Sequence, residues 1–172
     1  MKTWPGWLVV LAGTTVAGCT PASTATTSSS PDAAVVANAR VVRDVDGDTI
    51  DVAFGSRHER VRLIGVDTPE TKKPNTPVQC YGPEASDFTK HTLPPGTAVR
   101  IVRDAEARDD YGRLLGYVYR ASDGEFVNLL LAALGYARPL TIAPNTAHAA
   151  EIVAASTRAE ADDLGLWAAC NR

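Results

Sequence analysis

The sequence predicts a β-rich α+β domain, a five-stranded barrel of the OB type covered by three helices. Three observations predict it. Five short segments between Val41 and Tyr119 carry the two-residue alternation or β-branched richness of strands. Gly-, Asp- and Ser-containing turns separate the first three of them. Three stretches with helical character fall after the third and fifth strands, where helices can cover a small barrel.

The elements follow in order. Val41 to Val45 reads as the first strand, and Asp46-Gly47-Asp48 as a tight turn in which Gly47 tolerates positive φ. Thr49 to Phe54 is the second strand, and Gly55-Ser56 turns the chain again. His58 to Ile64 is the third, with Val61 and Leu63 on one face and Arg60 and Arg62 on the other, away from the core. Gly65 to Cys80 contains Pro69, Pro74 and Pro77 and is expected to be largely irregular. Gly82-Pro83-Glu84 opens a helix, with Pro in its first turn and Ala85 and Phe88 on its buried face, and Leu93-Pro94-Pro95-Gly96 stops it. Val99 and Ile101 mark the fourth strand; Leu115, Tyr117 and Tyr119 mark the fifth, where the tyrosines are expected to pack. After the turn Ser122-Asp123-Gly124, Val127 to Leu134 is a short apolar helix closed by Gly135. The last helix is expected from about Thr146 to Leu164, with Ala149, Ile152, Val153, Ser156 and Ala159 inward, ended by Gly165. Trp167, with Leu164 and Leu166, should pin the C-terminus to the core.

The first 39 residues have another character. Lys2 gives a positive start, and the apolar run from Trp7 to Val16 is too short for a membrane span but fits the core of an export signal. It ends in Val16-Ala17-Gly18-Cys19, which resembles the bacterial lipobox, whose Cys is acylated and becomes the new N-terminus. A plain secretory signal with an incidental Cys is the alternative; both take the chain out of the cytoplasm. Residues 20–39 are rich in Thr, Ser, Ala and Pro and almost uncharged, so they read as a tether that cannot bury enough surface to fold. The folded domain is then 40–172. With Cys19 assigned to the leader, Cys80 and Cys170 form a pair that an oxidising compartment would join, two free thiols being the alternative.

The composition, 45% hydrophobic and 22% charged, suits an ordinary soluble core. The net charge is −3, and loss of Lys2 with a leader makes it more negative. That balance opposes a nucleic-acid partner unless a local cationic pattern overcomes it. His58, His91 and His148 have no Ser or Cys partner pattern, which argues against a hydrolytic triad.

The chemistry concentrates in Asp48 and Asp67-Thr68-Pro69-Glu70. Asp48 opens the second strand and Asp67 follows the third, so adjacent antiparallel strands can bring the two carboxylates together. Two carboxylates at one point repel unless a cation lies between them, and an all-oxygen set favours a hard ion, Ca²⁺ or Mg²⁺. Pro69 biases Thr68 away from helical geometry and frees its carbonyl to join them. Glu70 lies just beyond and could take a proton from an attacking water. Arg62 and Arg113 could clamp a phosphate and offset the charge that grows in a transition state. Taken singly, each of these residues is a turn or a surface charge; the argument lies in their occurring together.

Together they resemble the staphylococcal nuclease (thermonuclease) family. The matching stretches are Asp46-Gly47-Asp48-Thr49, Arg62-Leu63, Val66 to Thr71, Tyr81 to Ala85, Tyr111-Gly112-Arg113 and Leu166-Trp167, in family order. The resemblance implies an OB-fold barrel with three helices and calcium held by Asp48, Asp67 and the Thr68 carbonyl. It also implies catalytic roles for Arg62, Glu70 and Arg113, and cleavage of DNA and RNA to 3′-phosphorylated products. Lys72, Lys73 and Tyr111 are expected to touch substrate, and the protein is expected to be a monomer that meets a membrane only through its lipid. Two departures stand out. Asp110 replaces the family prototype's Lys before Tyr-Gly-Arg, and Thr141-Ile142-Ala143 replaces the region of two tyrosines, which should weaken stacking and binding. The competing readings are a non-catalytic OB module at the cell surface, binding nucleic acid or protein, and a lipoprotein with a purely structural calcium. The second would leave Glu70 and both arginines unused.

Overall fold

The computed structural model describes residues 35–72 and 76–170. The leader, Cys19, most of the tether and Lys73 lie outside the described residues. The elements are β1 Ala39–Asp46, β2 Thr49–Phe54, β3 Arg57–Leu63, β4 Gly65–Asp67, α1 Gly82–Thr92, β5 Ala98–Val102, β6 Leu114–Arg120, α2 Val127–Ala133, β7 Arg138–Leu140, α3 Ala149–Ala161 and α4 Leu166–Cys170.

β1, β2, β3, β6 and β5 close a barrel in that order, β5 returning to β1. Every pairing is antiparallel except β3 with β6, which is parallel and short, from Val61 opposite Leu114 to Leu63 opposite Gly116. This is the OB arrangement that the strand count predicted. Inward positions alternate as expected: Ile50, Val52, Val61, Leu63, Val99 and Val118 are fully buried. They meet Val127 and Leu131 of α2 and Ile152 of α3 in one core. Asn128 of α2, fully buried, accepts the Val118 N–H and donates to the Ile64 carbonyl, which ties the helix to both sides of the parallel seam.

Several expectations need correction. The barrel begins at Ala39, which is buried, and the Asn38 side chain bonds both ways with Ile101 backbone, so the fold reaches into the stretch read as tether. β4 and β7 form a two-stranded ribbon, Asp67 opposite Arg138, inside and beyond segments that read as irregular. Each is three residues long, too short to show a period. The last helix runs only from Ala149 to Ala161, and Val153 is 43% exposed, not inward. Ile152, Ala155, Ser156 and Ala159 hold the buried stripe; this i, i+3, i+4, i+7 set leaves Val153 one helical step off it. Leu164 is 39% exposed, whereas Leu166 and Trp167 are buried on a separate five-residue helix, α4. Gly47 is not in the positive-φ region. It is required for space instead, since a Cβ there would come within 2.8–2.9 Å of the Thr68 side chain. Cys80 and Cys170 are joined as a disulfide, with Cα atoms 5.8 Å apart. His148 has a structural place, as the sequence suggested: it packs on Tyr117 and Phe126 and hydrogen-bonds Glu151. Among the described residues no helix is long and apolar enough to cross a membrane.

Candidate active site

A cleft of about 650 Å³ opens beside the β1–β2 turn and is lined by Asp46, Asp48, Arg62, Asp67, Thr68, Glu70, Lys72, Gln79, Tyr111 and Arg113, among others. The residues singled out from the sequence therefore converge, Lys73 excepted because it is not described.

Asp48 sits where β1 turns into β2, and its side chain is only 10% exposed. Its Oδ2 accepts from the Thr68 N–H at 2.9 Å and the Thr68 hydroxyl at 3.1 Å, and its Oδ1 accepts from the Thr49 hydroxyl at 3.0 Å. These bonds lock the turn to the segment leaving β4, which is how residues 20 apart in the chain become neighbours. Asp67, the last residue of β4, is 58% exposed. Arg62 stands between the two carboxylates. Its Nη2 lies 3.1 Å from Asp48 Oδ2 and 2.9 Å from Asp67 Oδ1, while Nη1 donates to the Leu63 and Val66 carbonyls. The β3 alternation put this arginine on the outer face, and the β3–β4 corner then folds the carbonyls under it.

Arg113 precedes β6. Asp109 holds it: Oδ1 accepts the backbone N–H groups of Tyr111 and Arg113, and Oδ2 accepts Arg113 Nε at 2.6 Å. The Arg113 guanidinium also lies over the Tyr111 ring at 5.4 Å, and Tyr111 is 86% exposed at the cleft mouth. With Nε taken, the terminal guanidinium nitrogens are the donors left to offer a phosphate. Lys72 Nζ donates to the Val45 carbonyl at 2.5 Å, at the edge of the same cleft. Glu70 Oε1 accepts the N–H groups of Thr71 and Lys72, and its carboxyl group also comes within hydrogen-bonding reach of Asp46.

The site is crowded with negative charge. Burial raises the Asp67 carboxyl above the usual range; Arg62 opposes this, while Asp48 and Glu70 add to it. Burial likewise raises Asp46, against the Thr71 hydrogen bond and with the help of Glu70. Such a cluster favours a bound cation. The donor set fits a hard ion: Asp48 and Asp67 both reach one cationic nitrogen, so one cation can span them, and the further donor offered, the Thr68 carbonyl, is oxygen. Among the described residues no three His, Cys, Asp or Glu side chains are grouped to hold a metal without such help.

Sequence reasoning did not single out Asp46, Gln79 or Asp109 as site residues. Asp109 was accessible, because an Asp two residues before a Tyr-Gly turn is an Asx-turn signal. Beside the cleft lies an apolar pocket of about 310 Å³ whose walls include Ile64, Leu115, Leu140 and Ile142, with Arg62, Asp110 and Arg113 at its edge. It combines β3, β6 and β7 residues that no local pattern connects. Asp110 is exposed on its rim, and Ile142 stands where the tyrosine-rich stretch was expected to be lost.

Comparison with known proteins agrees with this geometry. The family described as "Staphylococcal nuclease homologue" matches residues 60–169, from the middle of β3 into α4. The chain is 47% identical over 127 residues to a thermonuclease of Staphylococcus intermedius and 44% identical over 128 residues to a thermonuclease of Staphylococcus hyicus. Each match covers 74% of this chain and 74% of the relative. It is 40% identical over 131 residues to endonuclease YncB of Bacillus subtilis (strain 168), covering 76% of this chain and 61% of the relative. The barrel order, the Asp–Arg–Glu cleft and these matches lead to one assignment: the chain belongs to the staphylococcal nuclease family.

Proposed function

We propose that the protein is a nuclease that hydrolyses phosphodiester bonds of DNA or RNA with the help of one calcium ion. The observation that carries the reading is the convergence of Asp48, Asp67, Arg62, Glu70 and Arg113 on a single open cleft. The names of its relatives, thermonuclease and endonuclease, support the same class of reaction.

Asp48, Asp67 and the Thr68 carbonyl would hold the ion, which supplies Lewis-acid polarisation of a phosphoryl oxygen when bound. Glu70 accepts a proton from the attacking water, its carboxylate oriented by the Thr71 and Lys72 N–H groups. Arg113, aimed by Asp109, donates to the phosphate oxygens on which charge accumulates. Arg62 ties the carboxylates to the β3–β4 corner and presents positive charge at the same place. Attack of the water oxygen on phosphorus, in line with the 5′ oxygen, breaks the P–O5′ bond; the departing 5′ oxygen takes a proton from solvent, leaving a 3′-phosphate and a 5′-hydroxyl. Tyr111 and Lys72 line the path of the substrate. The N-terminal leader and Cys19 support export with a lipid anchor, and nothing in the reaction requires more than one chain.

The test is cleavage of labelled single-stranded DNA and RNA by the purified protein, with Ca²⁺ or with chelator. Calcium-dependent cleavage to 3′-phosphorylated ends is expected, with kcat reduced by about 10²-fold or more in Glu70→Gln and in Arg113→Ala. Binding without cleavage under every metal condition would identify a non-catalytic OB module instead.

A further inference from the structure

Glu70 lies outside every helix and strand, between β4 and α1, yet its backbone is held on both sides by one residue. The Gln79 side-chain Oε1 accepts the Glu70 N–H at 2.9 Å, and the Gln79 N–H donates to the Glu70 carbonyl at 2.9 Å. Gln79 thus satisfies both main-chain groups of Glu70, as a strand partner would. The first residue of α1 closes in as well: a Cβ on Gly82 would stand 3.1 Å from the Glu70 carbonyl oxygen. The carboxylate itself bonds to the next two backbone N–H groups, so its direction follows the local backbone.

Gln79 is in turn anchored from outside the loop. Its neighbour Cys80 is bonded to Cys170, at the end of α4, whose Leu166 and Trp167 are buried. A continuous line of constraint therefore runs from the core through α4 and the disulfide to Gln79 and Glu70. The residue type matters too. An amide oxygen accepts the N–H as a carboxylate would, but adds no further negative charge beside Glu70 and Asp46.

We propose that Gln79 is a positioning residue for Glu70 and that the Cys80–Cys170 bridge holds Gln79 in place, so that full activity belongs to the oxidised protein. This rests on the reading of Glu70 as proton acceptor. A general base works only within hydrogen-bond reach of the proton it takes, and a displacement of about 1 Å costs roughly 10²-fold in rate. Loss of the Gln79 side chain leaves the Glu70 N–H without its acceptor, while Arg113 and its hold on Asp109 stay as they are.

Steady-state kinetics of the full chain on single-stranded DNA provide the test. Gln79→Ala is expected to lower kcat roughly tenfold or more with KM unchanged. Gln79→Glu keeps the acceptor oxygen and is expected to restore most of kcat. Cys80→Ser with Cys170→Ser, and the wild type treated with reductant, should lose kcat in the same sense while circular dichroism stays native. In the residual activity of Glu70→Gln, adding Gln79→Ala should cost nothing more, since the two act in one line. Wild-type kcat in Gln79→Ala, or an equal further loss in the Glu70→Gln background, overturns the role of Gln79; wild-type kcat in the reduced, folded protein overturns that of the bridge. Wild-type kcat in Glu70→Gln would overturn the function of Glu70 itself. Should Gln79→Ala not fold, Gln79→Met, which keeps the bulk but offers no acceptor oxygen, and the reduced wild type decide the matter.

Discussion

Asp104 shows how much one side chain can organise. Its Oδ2 accepts the Ala147 N–H and the Tyr117 hydroxyl, both at 2.9 Å, and so ties the segment before α3 to β6. The Ala147 hydrogen bond, then the Tyr117 one, hold its carboxyl below the usual range, while Tyr117 is pushed up to about 12, by burial first. A carboxylate with a lowered folded pKa gives stability above its unfolded value and loses it as pH falls through the folded one. Asp104→Asn should therefore cost about 1 kcal/mol at neutral pH, and the difference from wild type should vanish as the solution is acidified below about 3.9. Urea unfolding at a series of pH values measures it; a difference that persists undiminished in acid would contradict it. At this scale the sequence revealed the reactive residue types but not their partners. Asp48, Arg62, Asp67, Glu70 and Arg113 were legible as a set, and the fold brings them to one cleft. That Arg62 would lie between Asp48 and Asp67, or that Gln79 would grip Glu70, depends on loop paths that no short-range pattern encodes.

Elements were legible where they were long. β1, β2, β3, α1, β5, β6 and α2 all lie within a few residues of their expected bounds, because alternation or helical spacing is expressed over five residues or more. β4, β7 and α4 were not legible: three to five residues carry too little period, and tertiary contacts alone decide them. The α2 and α4 ends illustrate such a contact. Gly135 and Gly165 both have positive φ, and the Leu166 N–H donates to the Gly135 carbonyl at 2.8 Å. A Cβ on Gly135 would lie 2.3 Å from the Leu164 carbonyl oxygen. Gly135→Ala should therefore destabilise the protein by about 2 kcal/mol or more, through both backbone strain and collision. A lowered urea midpoint with unchanged slope is the expected result, and an unaltered midpoint would refute it.

For the whole molecule, the parallel seam between β3 and β6 is one of the barrel's two short joints, three residue pairs long against two between β1 and β5. Arg62 lies in that seam and Arg113 immediately precedes it, so the barrel and the cleft share one joint. Asn128 spans it from α2 with hydrogen bonds to the Val118 N–H and the Ile64 carbonyl. Asn128→Ala leaves both groups buried without that partner and should cost about 2–3 kcal/mol. Because the seam carries Arg62, nuclease activity is expected to fade at lower denaturant than the far-ultraviolet circular dichroism of the variant. Coincident loss of both signals would show that the joint has no local weakness.

The small ribbon of β4 and β7 has a consequence for how the protein comes into being. Asp67 is paired with Arg138, whose guanidinium lies 4.2 Å from the Trp167 ring centre. The disulfide leads to Cys170, three positions further on. Asp67, through Arg138, and Glu70, through Gln79 and the disulfide, thus both lean on α4. Every barrel strand stands in the sequence ahead of both buttresses, so the acidic edge of the cleft is set only once α4 has docked.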